Sequence, residues 1–203
     1  RILIEKNLPL AVPALVDAGI GAFAEGLLTH TTARDDLLNF IYDRLVGQLR
    51  EQGYSAQEVD AVVALRPAQW GDIPKRLAAV RAFATLPEAA PLAAANKRVG
   101  NILKKSDAAP ATAVDAALLV EPAEAALHAA LGQVAPVADA AFAAGDYTAS
   151  LQALAALKAP VDAFFDGVMV NADDAALRAN RLALLGTLHA SMNRVADLAR
   201  LAA

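Results

Sequence analysis

The chain has 203 residues, no cysteine and a net charge of −4 at pH 7, so disulfides and thiolate metal sites are excluded and indiscriminate nucleic-acid binding is disfavoured. Hydrophobic residues reach 57%, much of it alanine, while aromatics are only 5%. Alanine is the strongest helix former, and a β-sandwich would need alternating β-branched and aromatic residues, so the composition predicts tightly packed helices in one large domain or two small ones.

In chain order, Thr32-x-x-Asp35 has the form of a capping box, and Leu37, Leu38, Ile41, Leu45 and Leu49 follow on one helical face. Gly53 is a natural C-terminal stop, and Ser55-x-x-Glu58 is a second candidate box leading into Val59, Val62, Val63 and Leu65. Pro67 is expected to end that helix, and the RPAQWGDIP stretch at 66–74 is the predicted domain boundary. Trp70 lies within it and suits either hinge packing or base stacking, with packing favoured. Asp72 is placed to cap a helix carrying Leu77, Val80, Arg81 and Phe83. Pro87 and Pro91 interrupt before a helix over about 92–105, whose apolar side is Leu92, Val99, Ile102 and Leu103.

The SDAAPATA segment at 106–113 reads as a loop. Pro122 opens a helix with Leu127, Leu131 and Val134 on one face, and Pro136 is expected to kink or end it. Gly145-Asp146 marks a turn, Leu151, Leu154 and Leu157 follow at spacings of three, and Pro160 opens or kinks the next segment. Phe164, Phe165, Val168 and Met169 are expected in the core, and a break at 171–174 precedes a long final helix to about Leu201. No strand-like alternation is present. The longest run without a formal charge, Ala125 to Ala138, has 14 residues, short of the roughly 18 that a membrane span needs. No membrane partner and no signal peptide are predicted, and the start at Arg1 inside an apolar pattern predicts a piece of a longer chain.

Charge is unevenly distributed. Residues 71–105 carry 7 basic and 2 acidic groups, whereas 1–70 and 106–203 are net −3 and −6. A local basic window in an acidic chain suits phosphate contact. Within it, Lys97, Arg98, Asn101, Lys104 and Lys105 fall largely away from the apolar side of their helix. The cations suit phosphates and the amide suits a base edge; the competing reading is a solvated face. The three histidines, His30, His128 and His189, are isolated, and no metal-ligand spacing, P-loop, GxGxxG or GxSxG motif is present, so no catalytic residue and no metal ligand is assigned. Asp35-Asp36 and Asp173-Asp174 read as helix starts.

The segment PVDAFFDGVMVNADDAALRANRL at 160–182 resembles the C-terminal pattern of bacterial glycine–tRNA ligase beta subunits, which carry a DALR-type anticodon-binding domain. The run AANKRVGNILKK at 94–105 resembles a helix of the same family, and the matching motifs cover about 91–198. Residues 1–70 are similar, less distinctively, to the helical region preceding that domain. Asn171 and Met192 depart from the family pattern and read as structural drift.

The resemblance implies an all-α helical bundle, with a DALR-type domain at 71–203 preceded by the last helices of a smaller helical segment at 1–70. It implies a module gripping the anticodon arm of glycine tRNA inside a cytoplasmic heterotetramer, with a separate alpha subunit activating glycine with ATP and Mg. The chain itself would hold no cofactor and bind no DNA. The candidate tRNA contacts are Lys97, Arg98, Asn101, Lys104, Lys105 and Arg178, and Asp166, Asn180 and Arg181 form a candidate structural polar network in which Arg181 bridges Asp166 or Asp162. The rival readings are a helical protein–protein module with a basic docking face and an enzyme with an unrecognised site. Because no nucleotide-binding motif is present, the purified chain should support no glycine-dependent ATP–pyrophosphate exchange; measurable exchange would sink the non-catalytic reading.

Overall fold

The computed structural model describes residues 1–24, 26–106 and 113–202. Ten α-helices and four 3-10 turns make up the described chain, and the only strand-like feature there is an isolated antiparallel bridge between Ala11 and Gln69. None of these helices is long and apolar enough to cross a membrane. Residues 107–112 of the predicted SDAAPATA loop lie outside the described residues.

The first helices are α1 (Ile2–Glu5), α2 (Val12–Gly21), α3 (Ala33–Glu51) and α4 (Ala56–Val63). Leu38, Tyr42, Leu45 and Leu49 form the buried face of α3, close to the predicted spacing. Thr32 precedes α3 but its side chain makes no cap hydrogen bond, because its backbone is already helical at φ −93°, ψ −6°. Ser55 instead has extended backbone at φ −67°, ψ 157°, and its capping box with Glu58 closes in both directions. Glu58 also receives Arg81 at 2.6 and 3.0 Å, and that guanidinium holds its carboxyl at about 2, well below the usual 4.5. Gly53, at φ +88°, supplies the left-handed turn between α3 and α4.

The segment 66–72 is pinned rather than loose. Tyr42 donates its hydroxyl to the carbonyls of Pro67 and Arg66 at 3.0 and 3.2 Å, and meets Trp70 edge to face at 5.7 Å. Trp70 is buried, which supports packing over base stacking. The next helix, α5 (Ile73–Ala84), follows a 3-10 turn at Trp70–Asp72; Asp72 has helical backbone and makes no side-chain cap.

Helix α6 (Ala89–Lys105) begins earlier than predicted, with Pro91 in its first turn, where a missing N–H costs nothing. Helix α7 (Pro122–Ala143) continues past Pro136, so it does not end there, with Leu127, Leu131 and Ala138 anchored in the core on both sides of it. Gly145, at φ +75°, turns the chain into α8 (Tyr147–Ala153), whose start is capped by Asp146. After a 3-10 turn at Leu154–Leu157 comes α9 (Lys158–Gly167), again with its proline in the first turn. Asp174 caps α10 (Ala175–Met192) through the N–H groups of Ala176 and Leu177. The final helix stops at Met192 rather than near Leu201, and a separate 3-10 turn covers Leu198–Leu201.

Packing runs α2 on α3, α3 on α4, α4 on α5, and α5 on α8, with α7 against α8, α9 and α10. Helix α6 lies between α10 and the C-terminal turn, which also returns to α4 through Asp197 N–H to the Ala61 carbonyl at 2.8 Å. Buried alanines at 61, 79, 93, 138, 183 and 196 let these helices approach closely. Met169, expected in the core, is 74% exposed: α9 ends at Gly167, the backbone is extended at Val168 (φ −115°, ψ 123°), and Val168 and Val170 take the inward positions. Leu184→Ala, at a fully buried site, should cost about 2–5 kcal/mol in urea unfolding. Met169→Ala should stay within about 0.5 kcal/mol.

Candidate nucleic-acid interface

Of the seven cations of the basic window, Lys75 is exposed on α5 and the other six divide into two groups. Arg76 and Arg81 are absorbed by the fold. Arg76 donates to the carbonyls of Val195 and Arg194 at 2.7 and 3.0 Å and lies over the Tyr147 ring at 4.8 Å, while Arg81 pairs with Glu58. Lys97, Arg98, Lys104 and Lys105 are exposed along α6, together with Asn101. The helix turns this face outward because Leu92, Ala93, Asn96 and Val99 are buried on its other side. Asn96, fully buried, exchanges side-chain hydrogen bonds with Asn193 at 2.8 and 3.0 Å, which fixes the rotation of α6 against the end of α10.

The outward face is not flat. A groove of about 460 Å³ opens between α6 and the segment joining α9 to α10, lined by Lys97, Arg98, Asn101, Ile102, Lys105 and Asn171 among others. Arg98 is held over the Phe165 ring at 4.1 Å, a cation–π contact that orders its guanidinium. On the far side of Arg98, a second groove carries Asp162 and Asp166. Lys104 belongs to a third, with His189, Asn193 and Asp197; burial pushes the His189 imidazole below its ordinary pKa, and Lys104 adds to that shift. His189 packs against α6 at Gly100, where a Cβ would stand 3.4 Å from Nε2, at van der Waals contact.

Arg181 and Asn180 are each hydrogen-bonded, but to separate partners, and Asp166 joins neither. Arg181 pairs not with Asp166 or Asp162 but with Glu124 of α7, at 2.6 Å, in a pair whose side chains are 6% and 0% exposed. Asp166 lies on the exposed face of α9, opposite buried Val161 and Phe164, so it cannot turn inward to α10. The second carboxylate oxygen of Glu124 accepts the Glu121 N–H at 2.8 Å, capping α7. Arg181 also donates to the Met169 carbonyl at 2.8 Å. Asn180 exchanges two hydrogen bonds with the backbone of Asp115, at 2.7 and 3.0 Å. Arg178, a candidate RNA contact from sequence, is half-buried and donates to the Ala172 carbonyl at 2.6 Å. Arg178 and Arg181 therefore hold the 168–174 segment from its carbonyls. Asn171 sits between those two fixed points, exposed into the groove. In the sequence it reads as drift; its outward position follows from burial of Val168 and Val170 with Met169 exposed between them, which the residue types do not show.

Residues 92–199 match the family described as the DALR anticodon binding domain, and the chain belongs to that family. Over all 203 residues it is 68% identical to the glycine–tRNA ligase beta subunit of Leptothrix cholodnii, and 64% identical to the proteins of the same name in Thiobacillus denitrificans and Dechloromonas aromatica. The chain spans 28% or 29% of the length of these relatives.

Removing one member of the Arg181–Glu124 pair leaves a buried charge unpaired. Arg181→Met and Glu124→Leu should each cost about 3–5 kcal/mol in chemical denaturation, and the double variant should recover much of that loss. Equal losses for single and double variants would show that the cost comes from packing instead.

Proposed function

We propose that this chain is the tRNA-binding end of a glycine–tRNA ligase beta subunit and that it grips the anticodon arm of glycine tRNA through the exposed face of α6. The observation that carries the reading is the basic, amide-containing groove on an otherwise acidic protein. Family membership in the anticodon binding domain and the names of the relatives support the same direction. In this reading residues 71–203 form the RNA-binding unit, and 1–70 belong to the helical region before it. Lys97, Arg98, Lys104 and Lys105 hold phosphates, and Asn101 reads a base edge. Arg178 acts through the 168–174 segment that it holds.

The contribution to aminoacylation is positional. A bound anticodon arm fixes the tRNA so that binding energy gained far from the chemistry orients the acceptor end toward a remote catalytic centre. That centre belongs to a separate alpha subunit, where ATP and Mg supply the activation of glycine, and the assembly works in the cytoplasm. The alternative is a basic docking face for an acidic protein partner, and it predicts no retention of tRNA.

Filter binding with glycine tRNA over a salt series separates the two. Replacing Lys97, Arg98, Lys104 or Lys105 singly by Ala should lower the salt slope by about 0.7 for each cation on a phosphate, the single-strand value. Stability should move by under about 0.5 kcal/mol for the three lysines, which are exposed, and by about 0.5–1 kcal/mol for Arg98, which also loses its contact with Phe165. Val99→Asp should unfold the chain, because it forces a charge into a fully buried site. If the four cation variants bind like the parent at low salt, the α6 face is only solvated surface.

A further inference from the structure

We infer that the groove between α6 and the 168–174 segment is a pocket for one unstacked nucleotide, in which Asn101 and Asn171 together read the edge of a single base. The inference rests on the RNA-binding reading above and narrows it to one site and two amides.

Size and lining argue for one nucleotide. At about 460 Å³ the groove falls at the lower end of the roughly 300–1,000 Å³ range of small-ligand sites. Among the described residues its lining holds three cations, Lys97, Arg98 and Lys105, and no carboxylate, although the chain is acidic overall and Asp162 and Asp166 stand just beyond Arg98 in the neighbouring groove. That arrangement accepts phosphate on one side and repels it on the other. Ile102 adds apolar surface for the face of a base.

The two amides come from different elements, Asn101 from α6 and Asn171 from the segment entering α10. Each carries a donor and an acceptor, so the pair can match the mixed pattern of a base edge, which two lysines cannot do. Discrimination requires that both amides be fixed in place. Asn101 stands on a helix whose rotation is set by the buried Asn96–Asn193 pair. Asn171 is flanked by two backbone carbonyls that Arg181 and Arg178 hold at 2.8 and 2.6 Å. Single-stranded loops are the usual target of sequence-specific RNA recognition because their bases can be turned out and read in this way.

The test is binding of the 203-residue chain to glycine tRNA and to a set in which each anticodon-loop base is replaced in turn. The parent should discriminate against replacement at one loop position by roughly tenfold or more. Asn101→Ala and Asn171→Ala should each lose most of that discrimination, at the same position, with an unchanged salt slope. Lys97→Ala and Lys105→Ala should lower the slope and keep the discrimination. Asn171→Asp should bind more weakly than Asn171→Ala, because it places a carboxylate among the phosphate-holding cations. Circular dichroism of each variant checks the fold. If the parent discriminates but Asn171→Ala discriminates equally well, the pocket is wrong while RNA binding stands. Binding without preference at any loop position also overturns it. If the parent does not bind tRNA, both readings fail together.

Discussion

The carboxylate of Glu124 is the constraint on which the RNA-facing end depends. One oxygen meets Arg181 and the other caps the start of α7, so a single buried group locks two helices in register. Burying such a pair carries a desolvation cost that only good geometry offsets. Here the remaining capacity is used as well, since Arg181 reaches the Met169 carbonyl. The carbonyl contact extends the constraint from the core to the surface: it ties the segment between α9 and α10 to the same anchor. Arg178 and the Asp174 cap complete the restraint at the other end of that segment. A stretch without regular structure is thereby held by buried Arg181, half-buried Arg178 and the cap of Asp174.

Helix α6 is positioned by a separate device. Apolar packing of Leu92 and Val99 determines which side faces inward but tolerates small rotations. The Asn96–Asn193 amide pair does not, because two directional hydrogen bonds are satisfied at only one angle. Asn193 also accepts the Leu198 N–H at 3.2 Å, so the same side chain sets the turn that closes the chain over α6. The groove is the gap between these two independently fixed bodies.

Much of this was legible in sequence because it is local. The Ser55–Glu58 box, the Gly53 and Gly145 turns, the Asp174 break and the outward row on α6 follow from spacing and backbone preference within a few residues. The failures arise where distant structure decides. Thr32 and Asp72 have capping side chains but backbones already drawn into helical geometry. Pro136 passes inside α7 because the helix is anchored on both sides of it. Met169 and Arg181 failed for a shared reason: sequence neighbours suggested the partners, whereas the true partner of Arg181 is 57 positions away and Met169 lies past the end of α9, with Val168 and Val170 taking the core positions on either side of it. Asn171 was visible as a residue but not as a site, because its importance depends on α6 lying opposite.

The stack of Arg98 on Phe165 gives the groove two kinds of charge. Its guanidinium has already given up rotamer freedom during folding, while Lys97 and Lys105 retain theirs on flexible stems. An anion entering the groove therefore meets one fixed charge and two that can follow it. The fixed one sets a reference point for whatever backbone passes through, and the mobile pair tolerates variation in its path, so the site can be strict about position at one phosphate and permissive at the next.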